Sequence, residues 1–349
     1  MRSRFLALHF EITNKCNLRC KHCYNIKYLE DKTHELTTAE VKQIIDKAFQ
    51  LGCEDIGFSG GEPFARSDIL EIIEYVKNYP IHILSNGLLI TEQQLDHINS
   101  LGDMLLEFRI SLDGLHSHEM LRGVSYKKVV EKIKLLIEKG FIVTVNTMLT
   151  ADSILELNDM YELFKQIGID RWRIDFIFNS GNANTNHIDN DNLLCNFNEI
   201  RDLIIKYVNE KPDFEFDVNK MFRSTFLSSA KPIKYTLTTK PCAYQGALTI
   251  RPNGDVSFCP SMETTCGNFL TDNIEKITLS HNWNKIANIS VGDLHEKCRK
   301  CKYLYFCGGG CRADSLYACG SLYEHSEFTC KLVKYYLEEI EPYIKEKLV

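Results

Sequence analysis

The stretch Cys16-Asn17-Leu18-Arg19-Cys20-Lys21-His22-Cys23 places three thiols within eight residues, directly after the apolar run from Phe5 to Ile12. On a loop, a CxxxCxxC spacing lets three thiolates converge on one face of a metal centre. Cysteine-based sites commonly use four ligands, so one ligand is missing locally. Two chemistries fit. One is a 4Fe–4S cluster held by Cys16, Cys20 and Cys23, with a fourth iron open to a small molecule. The other is a zinc knuckle completed by His9 or His22.

A second cysteine field lies far along the chain: Cys242 and Cys259, then Cys298-x2-Cys301-x5-Cys307-x3-Cys311, then Cys330, with Cys266 and Cys319 between. A CxxC followed by two more cysteines within ten residues suits iron–sulfur ligation or a treble-clef-like zinc knuckle. Cys53, Cys195 and Cys319 read as packed or incidental thiols.

The bulk properties narrow the classes. Among 349 residues, 41 are basic and 47 acidic, for a formal charge of −6, without a long Lys/Arg run. That argues against nucleic acid as a partner. The N-terminus has no signal-peptide apolar core, and no apolar stretch reaches the roughly 20 residues needed to cross a bilayer. A cytoplasmic protein is expected, with no membrane partner. Disulfides do not persist there, so fourteen cysteines point to metal.

Strand-type runs alternate with helical periods over the first 210 residues. Strands are expected at 5–12, 55–59, 81–85, 105–112, 142–148 and 172–176, and helices at 38–51, 68–78, 92–101, 126–139, 153–167 and 199–209. Six strand-helix units imply parallel strands with right-handed crossovers, an α/β partial (β/α)6 TIM-like barrel. Chemistry in such folds collects at the C-terminal strand ends. There lie the first cysteine loop, Ser59-Gly60-Gly61-Glu62-Pro63, Ser85-Asn86-Gly87 and Ser111-Leu112-Asp113-Gly114. The domain reading is a barrel over 1–215, a linker over 216–240 and a cysteine-rich domain with a C-terminal helix over 241–349. The Asn/Asp-rich residues 179–198 read as an exposed excursion.

Cys16-x3-Cys20-x2-Cys23 followed by Tyr24 resembles the signature of radical S-adenosylmethionine (SAM) enzymes. In that family SAM chelates the open iron and, on one-electron reduction, yields a 5′-deoxyadenosyl radical. The resemblance extends to Gly60-Gly61-Glu62-Pro63, similar to the family's GGEP stretch. It implies close backbone approach of Gly60 and Gly61 to the methionine amino group, with Glu62 as its negative partner. Ser111 and Asp113 match a stretch that contacts ribose hydroxyls, with Asn86 as a further candidate. Arg122 is expected at the methionine carboxylate and Tyr24 on the adenine.

The distal field resembles the SPASM domain, a C-terminal extension found on many such enzymes. It implies two auxiliary 4Fe–4S clusters, hence three clusters plus SAM. The resemblance assigns Cys242, Cys259 and Cys311 to the first auxiliary cluster. Cys298, Cys301, Cys307 and Cys330 go to the second. The first set lacks a fourth thiol: either Cys266 closes it, the expectation taken forward, or one iron is open to substrate.

SPASM-bearing enzymes mostly modify peptides, so the implied activity is a thioether or carbon-carbon crosslink in a ribosomal precursor peptide. An alternative is decarboxylation or modification of haem or another small cofactor. A third reading, from a different class, is a non-catalytic iron–sulfur or zinc carrier. Pro260 follows Cys259 where sulfatase-maturating members have an aspartate, which disfavours that activity. The chain reaches its first strand by residue 5, so leader recognition is expected from a separate protein or from the enzyme's own surface. A flavodoxin or ferredoxin is the expected electron donor. Glu11, Glu263 and Asp175 are polar groups near the expected cavity, and none is given a catalytic role.

Overall fold

The structure is a computed structural model describing residues 5–29, 35–188, 190, 192–219, 221–224, 235–242 and 246–348. Its centre is one eleven-stranded sheet. Strands β1 (Ala7–Thr13), β2 (Asp55–Gly60), β3 (Ile81–Ser85), β4 (Leu106–Ser111), β5 (Ile142–Leu149), β6 (Arg171–Phe176) and β7 (Glu215–Val218) run parallel in sequential order. The short β8 (Phe222–Arg223) turns back against β7. On the other side, β9 (Ala247–Ile250) pairs in parallel with β1, and β10 (Asp255–Ser257) and β11 (Thr265–Asn268) extend the edge antiparallel.

Period-two alternation divides the strand residues between two environments. One set is apolar and packs under the helices: Phe10, Phe58, Phe108, Trp172 and Phe216 are all fully buried. The alternate set is polar and pairs with itself. The His9 Nε2 and Ser59 Oγ atoms are 2.9 Å apart, and Arg109 donates to Glu107 at 2.8 Å. A parallel barrel with a polar interior has room for a polar ligand rather than a filled core.

The helices cover the outer face for local reasons. In Thr38–Gln50 the buried residues Val41, Ile44, Ile45 and Ala48 form one stripe. Its start is fixed by Thr37 and Glu40, which form a reciprocal capping box. No described helix is long and apolar enough to cross a membrane.

One sequence expectation changes. The 216–240 stretch does not open as a linker: Phe216, Asp217 and Val218 belong to β7, in register with Trp172, Arg173 and Ile174. Residues 220 and 225–234 of that stretch lie outside the described residues. The cysteine-rich region joins the sheet through β9, which supplies the strand beside β1.

Candidate functional site: three cysteine sets at the strand ends

The first cysteine loop leaves β1 and is seated by backbone contacts. The Gly61 amide donates to the Thr13 carbonyl and the Glu62 amide to the Lys15 carbonyl, each at 2.7 Å. A Cβ on Gly61 would stand 2.2 Å from the Lys15 oxygen, and one on Gly60 would stand 2.4 Å from the Thr13 oxygen. Gly60 also has φ +127°, which side chains rarely adopt. The glycines thus admit the protein's own cysteine-loop backbone, a task the sequence expectation had reserved for a ligand.

Glu62 is buried and ties three strand ends together. One carboxylate oxygen accepts the Ser85 hydroxyl (2.7 Å) and the Phe64 amide (3.1 Å), and the other accepts the Asn86 amide (2.8 Å). Asn86 Nδ2 donates to Asn17 Oδ1 inside the cysteine loop at 2.8 Å. Burial raises the Glu62 pKa despite these bonds.

The opposite wall centres on Asp113, which is fully buried at the end of β4. Arg122 grips it with Nε at 2.5 Å from Oδ2 and Nη2 at 3.2 Å from Oδ1. The Met148 amide donates to Oδ1 at 3.0 Å. Burial opposes the charge on Asp113, but Arg122 and His22 beside it hold its pKa well below the usual carboxylate range. Arg122 Nη1 reaches Cys20 Sγ at 3.9 Å, joining this wall to the cysteine loop. Ser111 is half-buried at the same strand end.

The Tyr24 hydroxyl donates to Glu11 Oε1 at 3.2 Å, and Arg251 acts on it electrostatically.

Cys16, Cys20 and Cys23 are free thiols that act on one another electrostatically, and burial pushes Cys23 up to about 11. The Leu18 amide donates to Cys16 Sγ at 3.4 Å. Three crowded thiols fit thiolate ligation of an iron–sulfur cluster, with an amide directed at one sulfur and a guanidinium nearby to balance the charge.

Sequence reasoning missed the back of this loop. The Asn-rich stretch after β6 is no free excursion: the Asn182 amide donates to the Cys23 carbonyl (3.0 Å) and its Nδ2 to the Cys20 carbonyl (3.1 Å). Asn186 Nδ2 donates to the Lys21 carbonyl at 2.9 Å. The available signal was the density of asparagines, which bind carbonyls through their side chains.

In the distal field the structure gathers Cys298, Cys301, Cys307 and Cys330 around one cavity of about 180 Å³, with Cys311 on its wall. The Gly309 and Tyr303 amides donate to the sulfurs of Cys307 (3.3 Å) and Cys301 (3.4 Å). Cys259 is pushed up to about 12, by burial first and then by Cys311 and Cys242, which places these three together. Both sets fit thiolate ligation of iron–sulfur clusters.

Cys266 does not join them. Its thiol faces the Ser280 side chain, the Phe258 amide and the Thr264 carbonyl, and among the described residues no cysteine acts on it. Residue 266 sits on β11 beside the bulge that breaks the β10–β11 register, and this turns its side chain into the core.

The comparisons with known proteins agree with this geometry. The Radical SAM superfamily model matches residues 10–164, and the SPASM model, an iron-sulfur cluster-binding domain, matches residues 242–302. The AdoMet-dependent heme synthase of Nitratidesulfovibrio vulgaris is 27% identical over 338 residues, covering 87% of this chain and 86% of that protein. The PqqA peptide cyclase of Gluconobacter oxydans is 24% identical over 343 residues, covering 95% and 92%. Among solved structures, native anSMEcpe with bound AdoMet superposes with a TM-score of 0.79 at 17% identity, covering 98% of this chain and 99% of that one.

Proposed function

From the premise that this chain is a radical SAM protein with a SPASM iron–sulfur domain, we propose that it modifies a peptide, forming a thioether or carbon-carbon crosslink in a ribosomally made precursor. The observation that carries the radical chemistry is the three-thiol set at Cys16, Cys20 and Cys23, which would leave one iron of a 4Fe–4S cluster without a protein ligand. SAM bound there would supply a 5′-deoxyadenosyl radical that abstracts hydrogen from substrate.

The chain's own residues bind and orient. Cys16, Cys20 and Cys23 would hold the first cluster. Cys242, Cys259 and Cys311 would hold a second, and Cys298, Cys301, Cys307 and Cys330 a third. Gly60, Gly61, Glu62, Asn86, Ser111, Asp113 and Arg122, at the strand ends beside the first set, would hold SAM. The Asp113–Arg122 pair sits at the barrel mouth with opposite charges already fixed, so a zwitterionic amino acid can exchange into it with little reorganisation. The polar barrel interior receives the substrate, and an electron donor of the flavodoxin or ferredoxin type supplies the reductant.

Similarity to a peptide cyclase over nearly all of both chains supports a peptide substrate. Similarity to a heme synthase over a comparable span favours a second reading, action on a tetrapyrrole side chain. One anaerobic assay separates them: reconstituted protein, SAM and dithionite, with candidate precursor peptides in one arm and haem precursors in the other. Peptide modification predicts 5′-deoxyadenosine together with loss of two hydrogens from the peptide. Carbon dioxide release from the tetrapyrrole with an unchanged peptide selects the second reading. No 5′-deoxyadenosine in either arm, matching a Cys20→Ala control, sinks both in favour of an iron–sulfur carrier.

A further inference from the structure

Arg312 follows Cys311 of one distal set, and its guanidinium turns back over the Gly308-Gly309-Gly310 bridge that leads to Cys307 of the other. The side chain is 1% exposed. Nη1 donates to the carbonyls of Leu322 (2.7 Å) and Glu324 (3.1 Å). Nη2 donates to the carbonyls of Gly309 and, at 3.3 Å, Gly310. Nε is buried without a partner.

These acceptors are peptide carbonyls, which position the guanidinium without bringing any net charge of their own. Arginine stays protonated in proteins. A whole positive charge is therefore fixed where water cannot screen it. The guanidinium lies against the Gly309 and Gly310 carbonyls, in the backbone that joins Cys307 of one set to Cys311 of the other, and Cys298, Cys311 and Cys242 act on it. Cys298 and Cys307 feel it in return.

We propose that Arg312 is a shared counter-charge for the two auxiliary iron–sulfur centres, a positioning residue that sets both reduction potentials together. The inference rests on the reading of the distal field as cluster-holding. Reducing a cluster adds one negative charge, and a fixed cation in a poorly screened interior favours the reduced form. One guanidinium facing two centres does this for both. It also lessens the repulsion between them when both are reduced.

The test uses anaerobically reconstituted protein in a Cys20→Ala background, so that only the auxiliary centres report, with iron counted before an EPR-monitored redox titration. Arg312→Gln is expected to lower both midpoint potentials at unchanged iron content, and Arg312→Lys to bring both back toward the parent values. Unchanged potentials in Arg312→Gln, or a shift confined to one centre, overturn the proposal. Should Arg312→Gln fail to fold, Asp314→Asn decides. It removes an anion acting on Arg312 while keeping an oxygen for the Thr329 hydroxyl, now 2.5 Å away. Both potentials must then rise, and no rise overturns the shared field. A parent protein that takes up no iron in the distal field overturns the cluster reading itself, an outcome separate from any failure of the Arg312 assignment.

Discussion

Glu11 and Arg251, 240 residues apart in sequence, meet in the interior with Nη1 at 2.6 Å from each carboxylate oxygen. The same guanidinium sends Nη2 to the carbonyls of Pro260 and Met262, each at 3.0 Å, and its face lies over the Tyr28 ring. One side chain thus ties β1, which leads into the first cysteine loop, to the turn that follows Cys259.

A buried pair of this kind is costly to break from one side, because the remaining charge is left without a partner. Glu11→Gln and Arg251→Met should each destabilise the protein by about 3–5 kcal/mol. The double replacement Glu11→Gln/Arg251→Met should cost clearly less than the two single effects added. Denaturation midpoints of the four proteins check this, and strict additivity would show that the pair is not coupled.

The placement of Cys266 gives a prediction about iron. Cys266→Ser should retain the parent's iron content, whereas Cys242→Ser and Cys259→Ser should each lose most of one cluster, about four irons. Iron and sulfide analysis after anaerobic reconstitution decides. A cluster's worth of iron lost from Cys266→Ser would restore it as a ligand.

Gly61→Ala probes the seat of the first loop. With a Cβ required 2.2 Å from the Lys15 oxygen, the loop must move, and the first cluster should be lost or labile. The auxiliary iron should stay, so total iron falls by about a third while SAM cleavage disappears. Full iron and full cleavage would mean that the loop tolerates the displacement.

The parts legible in the sequence are those whose chemistry is local. The CxxxCxxC spacing, the GGEP turn and the distal CxxC each sit within a few residues, and alternating strand and helix periods bring the strand ends together on one side of the sheet. What stayed hidden depends on pairing across distance. Glu11 looks like any strand glutamate until Arg251 is beside it. Asn182 and Asn186 read as solvent-facing because composition does not reveal that their side chains meet carbonyls of the cysteine loop. Cys266 has plausible spacing, but which way it faces is set by the bulge between β10 and β11.

Three histidines make stability sensitive to acid. Burial, above all, lowers His9 to about 3 and His22 and His118 to about 4. An unfolded histidine titrates near 6.5, so between pH 6.5 and about 4 the unfolded chain binds protons that the folded chain refuses. Stability should therefore fall as pH drops through this window, by up to about 1.4 kcal/mol per pH unit for each histidine. Thermal midpoints of cluster-free protein from pH 7 to 5 measure the slope. His118→Asn, whose side-chain oxygen can accept the Asp113 amide that His118 Nδ1 now takes at 3.1 Å, should flatten it. An equally steep slope in this variant would exclude His118 as a source.

The pairing of β9 with β1 also sets an order of events during synthesis. Strand β1 leaves the ribosome well before the partner for its outer edge, residues 247–250, which emerges more than 230 residues later. At roughly 5–20 residues per second, that edge and the first cysteine loop wait about 10–50 seconds for closure. During that interval the nascent chain offers an open strand edge beside three unligated thiols, a template for edge-to-edge association until β9 arrives.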